Sequence, residues 1–187
     1  MATRVNPIRR LRRLALAVLL GAWTLGAFSQ SLPSEYQVKA AYLFNFAKYL
    51  EWPAGAFASP QAPLTLCVSG RDPFGGALAA YERRTVQSRE LRVRRGVGLD
   101  DLRGCHMLFL AESEERNVKQ FLRAAASLPI ITVSDIDGFT EAGGTIGLVE
   151  ADERVQFEIN LASAQRAGVK VNSQLMRVAR NTRGKGQ

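Results

Sequence analysis

The hydrophobic and polar positions of this chain change period several times, and each change marks an element. The run SEYQVKAAYLFNFAKYLEWP opens on Ser34 with Gln37 three residues later, the spacing of a capping box, and Pro53 stops it, which predicts a helix. Tyr42, Leu43, Phe44, Phe46, Tyr49 and Leu50 fill more than one stripe of that helix, so a core on one side leaves apolar surface for something else on the other. PLTLCVSG is a short β-rich run, and DPFGGALAAYERR after it reads as a helix opened by Asp72 as N-cap and Pro73 in the first turn. In RELRVRR, Leu91 and Val93 alternate with Arg92 and Arg94, the pattern of a strand with one wet face, suited to a sheet edge. CHMLFLAE and PIITVSD are nearly continuous apolar runs typical of strands buried on both faces. Between them SEERNVKQFLRAAAS has helical spacing at Val118, Phe121, Leu122 and Ala125.

Beyond Asp135 the chain turns through DIDGF and EAGGT into TIGLVEADERVQFEIN, two strand-like runs around a polar turn at residues 150–154, which predicts a hairpin. Val155, Phe157 and Ile159 alternate with Gln156, Glu158 and Asn160, and Asn160 is placed to cap a helix LASAQRAG ended by Gly168. VKVNSQLMRVAR is then a short strand leading into a last helix capped by Asn172 or Ser173, with Val169 and Val171 inward and Lys170 and Asn172 outward. The β-α-β-β-α-β order, with helices as crossovers, predicts an α/β fold: one three-layer-like domain with a mostly parallel sheet, flanking helices and a C-terminal hairpin.

Charge alters the picture at the two ends. The 187 residues carry a formal net charge of +8, but Arg4, Arg9, Arg10, Arg12 and Arg13 precede an apolar run, LALAVLLGAWTLGAF, too short to span a bilayer comfortably. A basic start, a short apolar core and small residues at Ala27 and Ser29 make a secretory signal peptide over residues 1–29, cut after Ser29; an uncleaved anchor is the alternative. Taking the five leader arginines from 25 basic residues leaves 20 against 17 acidic ones, a net of +3 for residues 30–187. Arg177, Arg180, Arg183 and Lys185 then form a short basic tail, without the broad basic stripe and interleaved aromatics of a nucleic-acid binder.

Export changes how Cys67 and Cys105 read. An even pair in an oxidising compartment suggests a disulfide, with two buried free thiols as the alternative. A bond would close a loop of about 39 residues and contribute roughly 4 kcal/mol in the chain-entropy account. On strands that are neighbours in the sheet the two could meet.

Catalytic patterns are sparse. His106 follows Cys105 directly, and adjacent residues on a strand face opposite ways, so the two make no thiolate–imidazole dyad; a structural role is expected. A zinc or copper site lacks ligands, and Asp135 and Asp137 before Gly138 fit a plain turn better than a calcium loop. SGRDPFGG resembles a phosphate cradle only in placing glycine at a helix entry, where Asp72 would repel the anion. No cofactor or catalytic residue is assigned. A small ligand, if one binds, belongs at the carboxyl ends of the strands, near residues 69–72 and 134–137; Ser69 and Asp72 are the positions where an unrecognised enzyme would be tested.

YLFNFAKYLEWP, LCVSGRDPFGGAL and GGTIGLVEADERVQFEINLASAQRAGVKVNSQLMRVA together resemble the YfiR family of periplasmic proteins over about residues 36–179. The resemblance implies a small non-catalytic α/β protein that represses an inner-membrane diguanylate cyclase through the enzyme's periplasmic sensor region, lowering cyclic di-GMP and biofilm formation. An outer-membrane lipoprotein that sequesters the repressor is implied as a further partner. It also implies a strand-linking disulfide at Cys67 and Cys105; the second cysteine pair of some relatives is missing. The partner surface is expected at Tyr42, Phe46 and Trp52 and at the outward pair Lys170 and Asn172, with a homodimer formed through apolar surface. The alternative function is a periplasmic small-molecule sensor acting on another membrane receptor.

Overall fold

The computed structural model describes residues 34–184; the proposed leader, its cleavage point and Lys185 lie outside them. The first helix, α1 (Glu35–Tyr49), starts as its sequence requires: Ser34 Oγ accepts from the Gln37 amide while the Gln37 side chain accepts from the Ser34 amide. Its last carbonyls would be orphans, but Gln87 Nε2 donates to the carbonyl oxygens of Ala47, Lys48 and Leu50.

The strands that follow are β1 (Leu50–Glu51), β2 (Leu64–Ser69), β3 (Thr85–Val86), β4 (Arg89–Arg95), β5 (Met107–Leu110), β6 (Ile131–Ser134), β7 (Ile146–Ala151), β8 (Arg154–Asn160), β9 (Lys170–Val171) and β10 (Asn181–Arg183). Eight of them make one sheet in the order β10-β8-β7-β6-β5-β2-β4-β3. Neighbours are parallel except β7–β8 and β3–β4. Among the helices, α2 (Val118–Ala125) joins β5 to β6, α3 (Leu161–Arg166) follows β8, and α4 (Ser173–Val178) follows β9.

The sheet is covered on both faces, and its central strands β2, β5 and β6, mostly apolar, are buried at every position. On one side Leu66, Val68, Met107, Phe109, Ile131 and Val133 pack with Leu43, Phe46 and Ala47 of α1. On the other, Cys67, Leu108 and Leu110 pack with Phe121 and Ala125 of α2 and with Phe139. Each large side chain so enclosed contributes about 1.5–3 kcal/mol relative to exposure. The mostly parallel, three-layer α/β domain with its C-terminal hairpin is thus present. The hairpin closes through Asp152 and Glu153, at φ +53° and +57°, with Ala151 opposite Arg154, the geometry of a two-residue turn. Asn160 caps α3 through the Ser163 amide, and Asn172 caps α4 through the Gln174 amide.

Several expectations are corrected. Residues 72–84 form no α-helix: Asp72 Oδ1 does accept from the Phe74 amide, but Gly75 sits at φ +51° and only a 3-10 turn, Ala77–Ala80, follows. A left-handed residue cannot continue a right-handed helix, so the cap opens a turn instead. This segment packs on the second apolar side of α1: Phe44 stacks on Tyr81 at 4.9 Å, and Tyr36 meets Phe74 edge-on at 5.5 Å. Residues 113–117, expected as the start of α2, lie in a 3-10 helix, Glu112–Asn117. The strand β4 is not quite the sheet edge, since the two-residue β3 pairs with its beginning. The short strand β9 leaves the main sheet and pairs antiparallel with β1, and part of the basic tail becomes β10, parallel to β8, with Arg183 paired to Glu141.

Candidate functional site

The central parallel strands deliver their carboxyl ends to one edge. The serines there are committed to backbone: Ser69 Oγ donates to the Val97 carbonyl at 2.7 Å, and Ser134 Oγ donates to the Leu110 carbonyl at 2.7 Å. Asp72, besides its turn, pairs with Arg95 at 2.9 Å. Gly70, at φ +83°, passes so close beneath Ser113 that an added Cβ would collide with it, and the next amide, Arg71, donates to Ser113 Oγ at 2.9 Å.

Over this edge lies the N-terminal half of α1, and between them two cavities adjoin. One, of about 340 Å³, is lined by Glu35, Lys39, Asp135 and Asp137; the other, of about 420 Å³, by Arg71, Asp72 and Ser113. Both share Tyr36, Glu112 and Glu115. Lys39 is buried, with its ammonium 2.5 Å from Asp135 Oδ2, 2.5 Å from Glu35 Oε1 and 4.5 Å from the Tyr36 ring centre. Burial pushes that ammonium down, but its hydrogen bonds to Asp135 and Glu35 outweigh burial and hold its pKa above the usual lysine value. The Tyr36 hydroxyl donates to Asp135 Oδ2 at 3.0 Å; burial, then the Asp135 charge, raise the phenol above its ordinary range. Asp135 Oδ1 is buried and has no hydrogen-bond partner. Neither Lys39 nor Tyr36 is a residue that the sequence reading singled out. The available signal was a lone lysine on the apolar face of α1.

The opposite end of the same strands is closed. His106, just before β5, accepts from the Thr65 amide at Nδ1 (3.0 Å) and lies 3.1 Å from the Ala56 carbonyl through Nε2, so the neutral ring with its proton on Nε2 satisfies both contacts. Phe57 stacks on the imidazole at 4.4 Å, and Arg89 lies 3.6 Å over the Phe57 ring centre. Burial lowers the His106 pKa below 6.5, the Ala56 bond opposes this, and the Arg89 charge adds to the lowering. Cys67 and Cys105 are joined in a disulfide beside this end, with Cα atoms 5.8 Å apart on β2 and just before β5.

The expected surface residues separate. Phe46 is completely enclosed, packed on Phe157 at 5.0 Å, and belongs to the core rather than to any partner surface. Tyr42 is half-buried against Phe46 and Phe157, its hydroxyl donating to the Val155 carbonyl at 3.0 Å. Half-buried Trp52 donates from Nε1 to the His106 carbonyl at 3.1 Å. The β1–β9 ladder sets exposed Lys170 opposite Glu51, next to Trp52. Lys170 also rims an apolar groove of about 450 Å³ formed with Leu161, Val169, Val171 and Met176. Asn172 spends its side chain capping α4 and its amide on the Tyr49 carbonyl.

A sequence profile of the YfiR/HmsC-like family matches residues 36–180. The chain belongs to the YfiR/HmsC-like family. The family is a periplasmic, regulatory one. The disulfide fits an oxidising compartment, and no helix among the described residues is long and apolar enough to cross a membrane. Among solved structures, the chain is similar to a conserved domain protein from Vibrio cholerae O1 biovar El Tor, with a TM-score of 0.53 at 9% identity over 82% of this chain. That likeness concerns the fold, and this chain covers 62% of the Vibrio chain.

Proposed function

We propose that this protein represses an inner-membrane diguanylate cyclase by binding the enzyme's periplasmic sensor region and favouring its inactive arrangement. The observation that carries the reading is the YfiR/HmsC-like match across residues 36–180. Further support comes from the apolar groove rimmed by Lys170, a slot suited to an amphipathic segment. Release of the repressor, through capture by an outer-membrane lipoprotein or through a ligand, lets the cyclase equilibrium shift back. Holding a cyclase at 99:1 off from 1:99 takes about 5.5 kcal/mol of differential affinity, within the reach of an interface of ordinary size. A homodimer belongs to the same proposal, as the form that would engage a two-fold symmetric cyclase.

Deleting the gene tests the sign. Intracellular cyclic di-GMP, measured by mass spectrometry, is expected to rise, and the wild-type gene to restore it. Lys170→Glu is expected to restore it incompletely at equal protein level. A level that is unchanged or lower after deletion overturns the reading.

A further inference from the structure

The acidic cleft at the carboxyl edge has no part in the proposed contact with a cyclase, and it is chemically incomplete. We infer that it binds a linear organic polyamine, whose ammonium groups are received by Asp135, Glu112, Glu115 and Asp137.

Three observations converge. The Asp135 side chain is only 8% exposed and lines the cavity, yet its Oδ1 has no donor. Buried carboxylate oxygens are almost always hydrogen-bonded, so this one leaves uncompensated negative charge in the wall of the cavity. The charge is lopsided. Five carboxylates, Glu35, Glu112, Glu115, Asp135 and Asp137, line the 340 Å³ cavity against the single cation Lys39. Lys39 is already engaged by Glu35, Asp135 and the Tyr36 ring, so it has no free face for an anion and leaves the negative excess for a cation. The shape then selects among cations. The cavity continues past Tyr36, Glu112 and Glu115 into the second one, where Asp72, Glu112 and Glu115 outnumber Arg71, giving an elongated groove in which charges spaced along a chain can each find a carboxylate. Among the described residues no three histidine, cysteine, aspartate or glutamate groups converge to hold a metal ion, which disfavours a compact divalent cation. The inference is independent of the cyclase reading, because binding is measured on the purified protein alone.

The probe is spermidine, titrated calorimetrically into the purified, disulfide-bonded protein at near-physiological salt. Saturable one-to-one binding is expected, weakened at least tenfold by Asp135→Asn. Because Asp135→Asn alters a buried pair, the exposed double variant Glu112→Gln/Glu115→Gln carries the test if folding is compromised. It is expected to keep the wild-type melting temperature and also to lose at least tenfold in affinity. Magnesium chloride at matched ionic strength is expected not to displace spermidine. Absence of saturable binding up to millimolar spermidine, an unchanged affinity in the double variant, or equal competition by magnesium would each overturn the inference.

Discussion

The two ends of the central strands each bury a titratable side chain, and they treat it in opposite ways. At the amino end His106 has both ring nitrogens matched to backbone partners, an aromatic lid in Phe57, and the Cys67–Cys105 bond alongside. At the carboxyl end Asp135 shares one oxygen between Lys39 and Tyr36 and leaves the other without a donor, beneath a groove with carboxylates to spare. A satisfied buried polar group specifies structure, whereas an unsatisfied one beside a cavity marks a place for something to arrive. The protein is finished at one end and open at the other.

The contrast is broken most forcefully at the disulfide. Replacing both cysteines by alanine releases a crosslink of sequence separation 38. It is expected to lower the unfolding free energy by about 4 kcal/mol in the chain-entropy account, read from urea unfolding. A loss below about 1 kcal/mol would show that the closed end does not depend on the bond. Next in size, His106→Ala removes the acceptor for the Thr65 amide and the donor near the Ala56 carbonyl. Leaving buried backbone groups unpaired and Phe57 unstacked is expected to cost about 2–3 kcal/mol in the same assay. Asp135→Asn at the open end is expected to cost less, about 1–2 kcal/mol, because Lys39 keeps Glu35 and the amide oxygen still accepts. If Asp135→Asn proved more damaging than His106→Ala, the open end would be the structural one.

The smallest effect is a pH dependence. The folded His106 pKa lies below the ordinary 6.5, so the unfolded chain binds the proton more readily between the two values. Stability is therefore full above about pH 6.5 and falls as pH drops from there toward the folded pKa. Thermal unfolding at pH 7.5 and pH 5.5 is expected to show this decline in the wild type and a shallower one in His106→Gln. Equal slopes would assign the decline to other groups.

Much of the fold was legible because it is locally encoded. Ser34 with Gln37, Asn160 before LASAQR, and Asn172 before SQLMRV each cap their helix within four residues, and the apolar runs of β2, β5 and β6 need no distant information. The misreadings arose where local signals were overruled. Asp72 and Pro73 announce a helix, but Gly75 adopts a left-handed φ and the segment folds back over α1 instead. The strands β1, β9 and β10 are two or three residues long, and their pairing is decided by tertiary placement rather than by pattern. In the candidate site, the carboxyl ends near residues 69–72 and 134–137 followed from topology. The partnership of Lys39 with Asp135, 96 residues apart, could not be read from either neighbourhood. Asp135 alone reads as part of a turn before Gly138, and Phe46 alone reads as one more aromatic on a helix too apolar for a single face.

The claim that this protein acts by touching a cyclase from the periplasmic side is tested most directly on spheroplasts of the deletion strain, whose inner membranes expose the sensor region to added protein. Purified protein in the medium is predicted to lower cyclic di-GMP synthesis in a dose-dependent, saturable way. Synthesis that stays constant across the same concentrations would contradict the account.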